Sequence, residues 1–270
     1  MTGQDRLDVD RIEAGLKTTV VGSRVLVFNS TSSTNDIAWE YARGRNNSGL
    51  CVFAEKQHAG RGRRGNKWHS LPGESILCSV VLLESDCQGD LLTLATGVAC
   101  AESIARFVPA AVMIKWPNDI VVGGHKIAGI LLESRAAEKG NDYVIGIGIN
   151  CHQGRSFFDE YDLLMPATSI DEAAGARVNR NNLAIDLLNA LDVWLRQARE
   201  NESLVMERWR QMSTLLGEHV KIEHDQKRFS GYCVGVDPGR GLILQLDGGG
   251  VRMFAAGQTT IVKSGGGLRK

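Results

Sequence analysis

Lys56, Arg61, Arg63, Arg64 and Lys67 put five cations, and no acid, into the twelve residues 56–67. Through them runs Gly60-Arg61-Gly62-Arg63-Arg64-Gly65, so the charge sits on a backbone repeatedly freed by glycine. Charge of that density on a flexible segment calls for a counter-anion, and phosphate is the natural one. Two familiar phosphate patterns do not apply: no Gly-Lys-Ser/Thr closes the segment, and no helix-forming run follows Gly65. A solvated basic loop, or a weak nucleic-acid patch, fits the same residues. Trp68, just beyond the last glycine, offers a stacking surface for a base or an ordinary core ring.

Three further groups carry chemistry. Lys115-Trp116-Pro117-Asn118-Asp119 precedes Lys126-Ile127-Ala128-Gly129-Ile130-Leu131. A lysine opening so apolar a strand snorkels, pairs with an acid, or stands as a fixed cation against charge that grows in a transition state. Asn118 and Asp119 suit a turn cap as well as a ligand. Ser32-Ser33-Thr34-Asn35, together with Gln57 at a strand end, supplies neutral donors and acceptors. These fit an amide- or urea-like group, and equally a helix cap. Gly146-Ile147-Gly148-Ile149-Asn150 reads as a strand against which something lies closely.

The elements that must position these groups follow from periodicity. Helices are expected over 5–17, 36–43, 90–107, 182–198 and 202–215; for example, Leu183, Leu187, Leu191, Trp194 and Ala198 share one helical face. Strands are expected over 25–28, 50–56, 75–83, 112–116, 118–125, 126–133 and 143–150, with a tight turn at Gly123-Gly124. After Gly217 short strands alternate with the turns Asp237-Pro238-Gly239 and Asp247-Gly248-Gly249, which reads as a small β-barrel. The organisation is α+β: an extension over 1–24, a mixed sheet with packed helices over 25–216, the β unit over 217–263, and a mobile tail over 264–270.

Composition narrows the classes of function. The 270 residues carry 31 Lys+Arg against 31 Asp+Glu, so the surface as a whole is not built for nucleic acid or an anionic membrane. No uncharged apolar run approaches the roughly 18 residues of a membrane-spanning helix, and the N-terminus lacks the apolar stretch of a signal peptide. The six cysteines form no C-x-x-C pair and read as reduced, buried thiols, with no disulfide and no structural metal. The C-terminal strands show no aromatic cluster that would serve as a nucleic-acid platform.

Taken in order, Ser33-Thr34-Asn35, Gln57 through the Gly-Arg loop to Trp68, Lys115 to Asp119, Lys126 to Gly129 and Gly146 to Asn150 resemble the bacterial biotin protein ligases, the biotin–[acetyl-CoA-carboxylase] ligases. The resemblance runs over about residues 25–262. It implies a class II synthetase-like catalytic domain followed by an SH3-like barrel. The reaction it implies has two halves: biotin and ATP give biotinyl-5′-AMP and pyrophosphate, and a lysine of a biotin carboxyl carrier domain then takes the biotin. Mg²⁺ would accompany the nucleotide. By that resemblance, Ser33, Thr34, Asn35, Gln57, Arg61, Gly62, Arg63, Lys126 and Gly129 would bind biotin. Arg61, Arg63, Arg64, Trp68, Asn118 and Asn150 would bind the nucleotide or adenylate, and Lys126 and Arg63 would act in catalysis. With only 24 residues before the first strand, the chain resembles the ligase-only form without a DNA-binding domain. A cytoplasmic location, a carboxylase carrier domain as partner, no DNA and no membrane are expected, with a homodimer left open. A lipoate-protein ligase and a nucleic-acid-binding protein remain as alternatives.

Overall fold

Residue alternation along the strands decides what the large sheet can hold on each face. In the computed structural model, which describes residues 5–262, seven strands lie in the order β1-β2-β3-β7-β6-β5-β4. They are β1 (Val25–Phe28), β2 (Cys51–Ala54), β3 (Ser75–Ser85), β4 (Val112–Lys115), β5 (Asp119–Val122), β6 (His125–Ala136) and β7 (Asn141–Asn150). β1 and β2 are parallel and the other pairs antiparallel. Cys51, Phe53, Cys78, Val80, Ile145 and Ile147 point to one face, into the main core. That core also holds α3 (Gly89–Ala105), α6 (Arg180–Glu200) and α7 (Glu202–Met212). Val52, Val81 and Val144 point to the other face, against Ala38 and Trp39 of α2 (Thr34–Tyr41) and Ala42 just after it. The short α2 covers only part of that second face, and the remainder is free to line a site.

The expected helices and strands of the first unit recur with ends shifted by a few residues. Gly123 and Gly124 have φ of 56° and 79°, the left-handed pair that a tight hairpin turn between β5 and β6 requires. The segment after β7 was not resolved into elements from periodicity. It contains two single-turn helices, α4 (Arg155–Asp159) and α5 (Ile170–Ala174), too short for an apolar repeat to register.

The C-terminal unit is a five-stranded antiparallel sheet ordered β11-β10-β9-β8-β12, from β8 (His219–His224), β9 (Lys227–Asp237), β10 (Gly241–Leu246), β11 (Val251–Phe254) and β12 (Thr259–Val262). Its fifth strand, β12, was not expected. Contrary to the sequence reading, aromatics do gather here: the Phe229 and Phe254 rings are 4.9 Å apart, and His224 meets Phe254 edge-on. Phe254 is wholly buried, so the cluster is core and not a stacking platform. Residues 1–4 of the expected extension, the expected tail and residue 263 lie outside the described residues.

From residue 5 onward the N-terminal segment is part of the first unit. Leu7, Ile12 and Val21 enter the main core, and Asp192 accepts the backbone N–H groups of Thr19, Val20 and Val21. Asp5 closes a buried charge cluster with Arg180, His152 and Glu55: Arg180 Nε donates to Asp5 at 3.0 Å and its Nη1 to Glu55 at 2.7 Å. His152, nearly inaccessible, lies between Asp5 and Asp171, 2.5 and 2.7 Å from their oxygens.

Burial alone would raise the Asp5 carboxyl, but hydrogen bonds from His152 and Arg180 outweigh it and hold the group at about 2, against 3.8 for a free aspartate. A carboxylate with a depressed folded-state pKa stabilises above its unfolded pKa and loses that contribution as pH falls through the folded value. Asp5→Asn is therefore expected to cost about 2 kcal/mol at pH 7. The wild-type advantage should shrink as pH falls from 3.8 toward about 2. Urea midpoints against pH check this, and a gap that stays constant over that range contradicts it.

Candidate functional site

The uncovered face of the sheet is where the sequence motifs converge. Opposed residues of an antiparallel pair share a face. The register therefore places Leu77 of β3, Gly148 of β7, Gly129 of β6, Asp119 of β5 and Lys115 of β4 in one row across five strands. The next row holds Val52, Ser79, Gly146 and Leu131. Three glycines thus leave the middle of the face without side chains. The space above belongs to a cavity of about 610 Å³ that the Gly-Arg loop, α2, residues 157–167 and β12 enclose.

Other groups already use the glycine floor. A Cβ on Gly148 would stand 2.5 Å from the Trp68 ring, and one on Gly146 would stand 2.4 Å from Asn35 Oδ1. A Cβ on Gly129 would meet Trp68 and the Lys126 side chain at 3.1 Å. Trp68 therefore lies on the glycines in the centre of the cavity, with the Lys126 ammonium 5.7 Å from its ring.

One end of the cavity is neutral and polar. Ser33 occupies the N-cap position of α2, yet its side chain makes no capping bond. The Thr34 N–H donates to Gln57 Oε1 at 2.7 Å, which leaves the Gln57 amide nitrogen turned toward Gly60. Ser79 lies 2.7 Å from the Thr34 hydroxyl and 2.6 Å from Asn35 Oδ1. With its oxygen so engaged, the buried Asn35 amide nitrogen has no hydrogen-bond partner among the described residues, and neither has Trp68 Nε1. A buried donor without a partner costs about 1–3 kcal/mol, so these two groups favour a ligand that brings acceptors.

The other end is cationic. Lys126 pairs with Asp119 at 2.5 Å, both partly buried. Arg63 donates to Asn118 Oδ1 at 3.2 Å and to the Ala256 carbonyl at 2.7 Å, while Arg64 donates to the Gly257 carbonyl at 3.0 Å. These carbonyls belong to a 3₁₀ turn, Ala256–Gln258, in the C-terminal unit. Burial, with Arg64 alongside, presses the Arg63 guanidinium below its usual range, as for a cation short of a counter-charge. Arg64 holds a left-handed backbone, φ 56°, uncommon for a non-glycine residue, although Glu84, Asp225 and Gln226 adopt it as well. Arg61 turns away to Asp36 at 2.7 Å and Glu133 at 3.2 Å, and its hydrogen bond to Asp36 holds that carboxyl below the usual range. Asn150 donates to the Thr168 carbonyl at 3.0 Å and so anchors the segment that carries Met165 and Ala167 along the wall.

All the expected site residues therefore line one cavity. Sequence reasoning missed two parts of the lining, the largely apolar wall from Phe157 to Ala167 and Thr259 to Ile261 of β12, and also Ser79, which lies buried behind Thr34 and Asn35. Ser79 carried one signal, a lone hydroxyl in the apolar run of β3. The wall carried none, because its contribution is apolar surface and backbone.

Residues 27–150 match the Biotin/lipoate A/B protein ligase family. The chain is 31% identical over 258 residues to the Bifunctional ligase/repressor BirA of Bacillus subtilis, covering 93% of this chain and 78% of that protein. It is 32% identical over 236 residues to the Biotin–[acetyl-CoA-carboxylase] ligase of Mycobacterium tuberculosis, covering 83% and 85%. In fold it matches a Biotin protein ligase from Aquifex aeolicus solved in complex with biotin and ATP, with TM-score 0.74, 22% identity, and coverage of 90% of this chain and 100% of that one.

The contact between Trp68 and the floor is open to a direct test. Gly148→Ala should lift the indole, because the loop that carries it moves more easily than the sheet. Steady-state fluorescence is expected to shift to the red and acrylamide quenching to rise, with neither change in a Trp68→Phe background. If the indole instead stays, the overpacked sheet should lose about 1–3 kcal/mol of stability.

Proposed function

The chain belongs to the biotin/lipoate A/B protein ligase family, and we propose that within it the chain is an ATP-dependent biotin protein ligase. It joins biotin to ATP as biotinyl-5′-AMP, releases pyrophosphate, and passes the biotin to a lysine of a carboxylase's biotin carboxyl carrier domain. One observation carries this reading: a single cavity with a neutral donor cluster at one end, a glycine floor covered by the movable Trp68 ring in the middle, and cations at the other end. Biotin has the same order of parts, a ureido head, an apolar bicycle and chain, and a carboxylate.

The donor cluster also favours biotin over lipoate. The ureido oxygen offers the acceptor that Asn35 Nδ2 lacks, whereas a dithiolane ring offers none and would leave the donor buried and unpaired. On this reading Ser33, Thr34, Asn35 and Gln57 hold the ureido group, and Ser79 sets the direction of their hydrogen bonds. Gly129 gives the ligand room, and the Gly62 backbone follows it within the loop. Lys126 meets the carboxylate and the α-phosphate, and Asp119 steers its ammonium. The nucleotide lies among Arg63, Arg64, Asn118 and Asn150, with Trp68 along the adenylate and Arg61 tying the loop to α2. Two anions are brought together here, so positioning and cationic stabilisation of the phosphorus are the work the protein does, and no protein nucleophile is required.

Mg²⁺ belongs to the nucleotide substrate. Of the carboxylates lining the cavity, Asp119 is engaged by Lys126, and Asp162 lies in the wall segment. When bound, the ion adds charge neutralisation on the phosphates. No helix among the described residues is long and apolar enough to cross a membrane, and we place the reaction in the cytoplasm, where carboxylase and nucleotide meet.

The primary test is exchange of labelled pyrophosphate into ATP. Biotin should support it and lipoate should not; the reverse overturns the proposal. A second test concerns the loop as a lid over a water-sensitive acyl-adenylate. Arg63→Gly removes a charge-assisted contact, so adenylate dissociation should speed up by about 10- to 150-fold. Adenylate that escapes acylates exposed lysines, and labelling of a bystander such as albumin should rise. If neither the dissociation rate nor bystander labelling changes, Arg63 is not part of a lid.

A further inference from the structure

Lys115 is a cavity cation to which the reaction above gives no work. Arg61 and Lys126 rest on carboxylates, and Arg63 and Arg64 on carbonyls. Among the described residues no carboxylate lies within ion-pair distance of Lys115, and the one hydrogen bond of its ammonium is to Met165 Sδ at 3.7 Å. A thioether is a weak acceptor, and an ammonium has three donors to place. The side chain is only half-buried, but it rises from the last residue of β4, the edge strand of the large sheet, not from a loop.

Its place in the cross-strand row gives it a direction. Along that row the Lys126 side chain lies at Gly129, Asp119 follows one strand on, and Lys115 one strand further. Two strand spacings make roughly 10 Å, and a lysine stem can close much of that distance. The donor cluster lies on the opposite side of Gly129, around Gly146 and Ser79. Read outward from that cluster, the order is neutral donors, glycine floor, Lys126, Asp119, Lys115. In-line attack at phosphorus places the leaving group opposite the attacking carboxylate. If Lys126 serves the attacking side, the next cation along the row faces the leaving side.

We propose that Lys115 is a catalytic residue for the leaving group, its ammonium holding the β-phosphate of the nucleotide and, after the reaction, the pyrophosphate. The assignment rests on the biotin-adenylation reading. In that step a biotin carboxylate oxygen forms a bond to the α-phosphorus. The bond from the α-phosphorus to the oxygen bridging to the β-phosphorus breaks, its electron pair stays on pyrophosphate, and no proton needs to move. Pyrophosphate carries more charge on that oxygen than ATP does, so a fixed cation there stabilises the transition state more than the ground state. A compact ammonium suits a phosphate whose position shifts during the step.

The experiment compares wild type, Lys115→Met and Lys115→Arg in the full chain. Biotin-dependent exchange gives KM for pyrophosphate, and single-turnover mixing gives the rate of adenylate formation. Transfer from supplied biotinyl-5′-AMP to a carrier domain and fluorescence titration with biotin isolate the remaining steps. For Lys115→Met, adenylate formation should slow about 100-fold. KM for pyrophosphate should rise about 10-fold or more. Biotin affinity and transfer from supplied adenylate should stay within about twofold, and Lys115→Arg should recover part of the loss. An unchanged KM for pyrophosphate overturns the assignment. So does an equal loss in biotin affinity and in transfer, the signature of a structural role. Should Lys115→Met fail to fold, Lys115→Arg decides: its displaced donors should alter KM for pyrophosphate while sparing transfer. Absence of biotin-dependent exchange in wild type removes the adenylation reading itself, a result distinct from a wild type that exchanges normally beside a variant that does the same.

Discussion

Three Cβ atoms are missing from the middle of the sheet, at Gly129, Gly146 and Gly148, and the rest of the site depends on their absence. The strands around them are packed with Ile, Leu and Val, and β-branched neighbours are what give so bare a stretch its rigidity. Any side chain at Gly146 would displace Asn35, and any at Gly148 would displace Trp68. The glycines therefore do two things at once. They admit the flat Trp68 ring to within van der Waals distance of the backbone, and they fix how deep the donor cluster and the indole can sit. Loops close over this floor, but they do not make it.

A second constraint acts on the loop's charges: a buried or half-buried cation is costly unless something polar offsets the lost water. Each arginine of the loop has a protein partner: carboxylates for Arg61, one carbonyl and an amide oxygen for Arg63, a carbonyl for Arg64. The difference between these partners matters. Carbonyls are weaker partners than ionised oxygens, so a phosphate can draw Arg63 and Arg64 away at a net gain. Arg61, held by two acids, has less to gain and is better suited to hold the loop in place. Six residues that look interchangeable in the sequence, Gly60 to Gly65, thereby divide into an anchored half and a transferable half.

Much of this is legible in the sequence, for a definite reason. Residue types that carry charge or a hydrogen bond, such as Lys126, Gln57 and the loop arginines, announce themselves at any position, and alternation along β6 and β7 puts their glycines on one face. Apolar wall residues such as Met165 and Leu163 do not announce themselves, because the same residues fill any core. The carbonyls of Ala256 and Gly257 are invisible for a deeper reason: every residue has one, and only the fold decides which are left to accept a hydrogen bond. Ser79 lies between the two cases. Its hydroxyl is visible, but its importance depends on sharing a row with Gly146, which is a matter of strand register. The charge of the basic loop is visible in the sequence, whereas its partners within the protein, Asp36 and Glu133 for Arg61 and neutral oxygens for Arg63 and Arg64, require tertiary structure.

The backbone grip of the 3₁₀ turn Ala256–Gln258 on Arg63 and Arg64 bears on how freely the two units can be recombined. Carbonyl oxygens are indifferent to sequence but sensitive to placement, so the small β unit can diverge widely in composition provided the turn before β12 keeps its path. A chimera that grafts this unit from a distant relative would then succeed or fail on the geometry of one three-residue turn, and overall identity would be a poor guide to which grafts are tolerated. Loop sequence and turn geometry would be inherited together, as a single exchangeable part assembled from two distant stretches of chain.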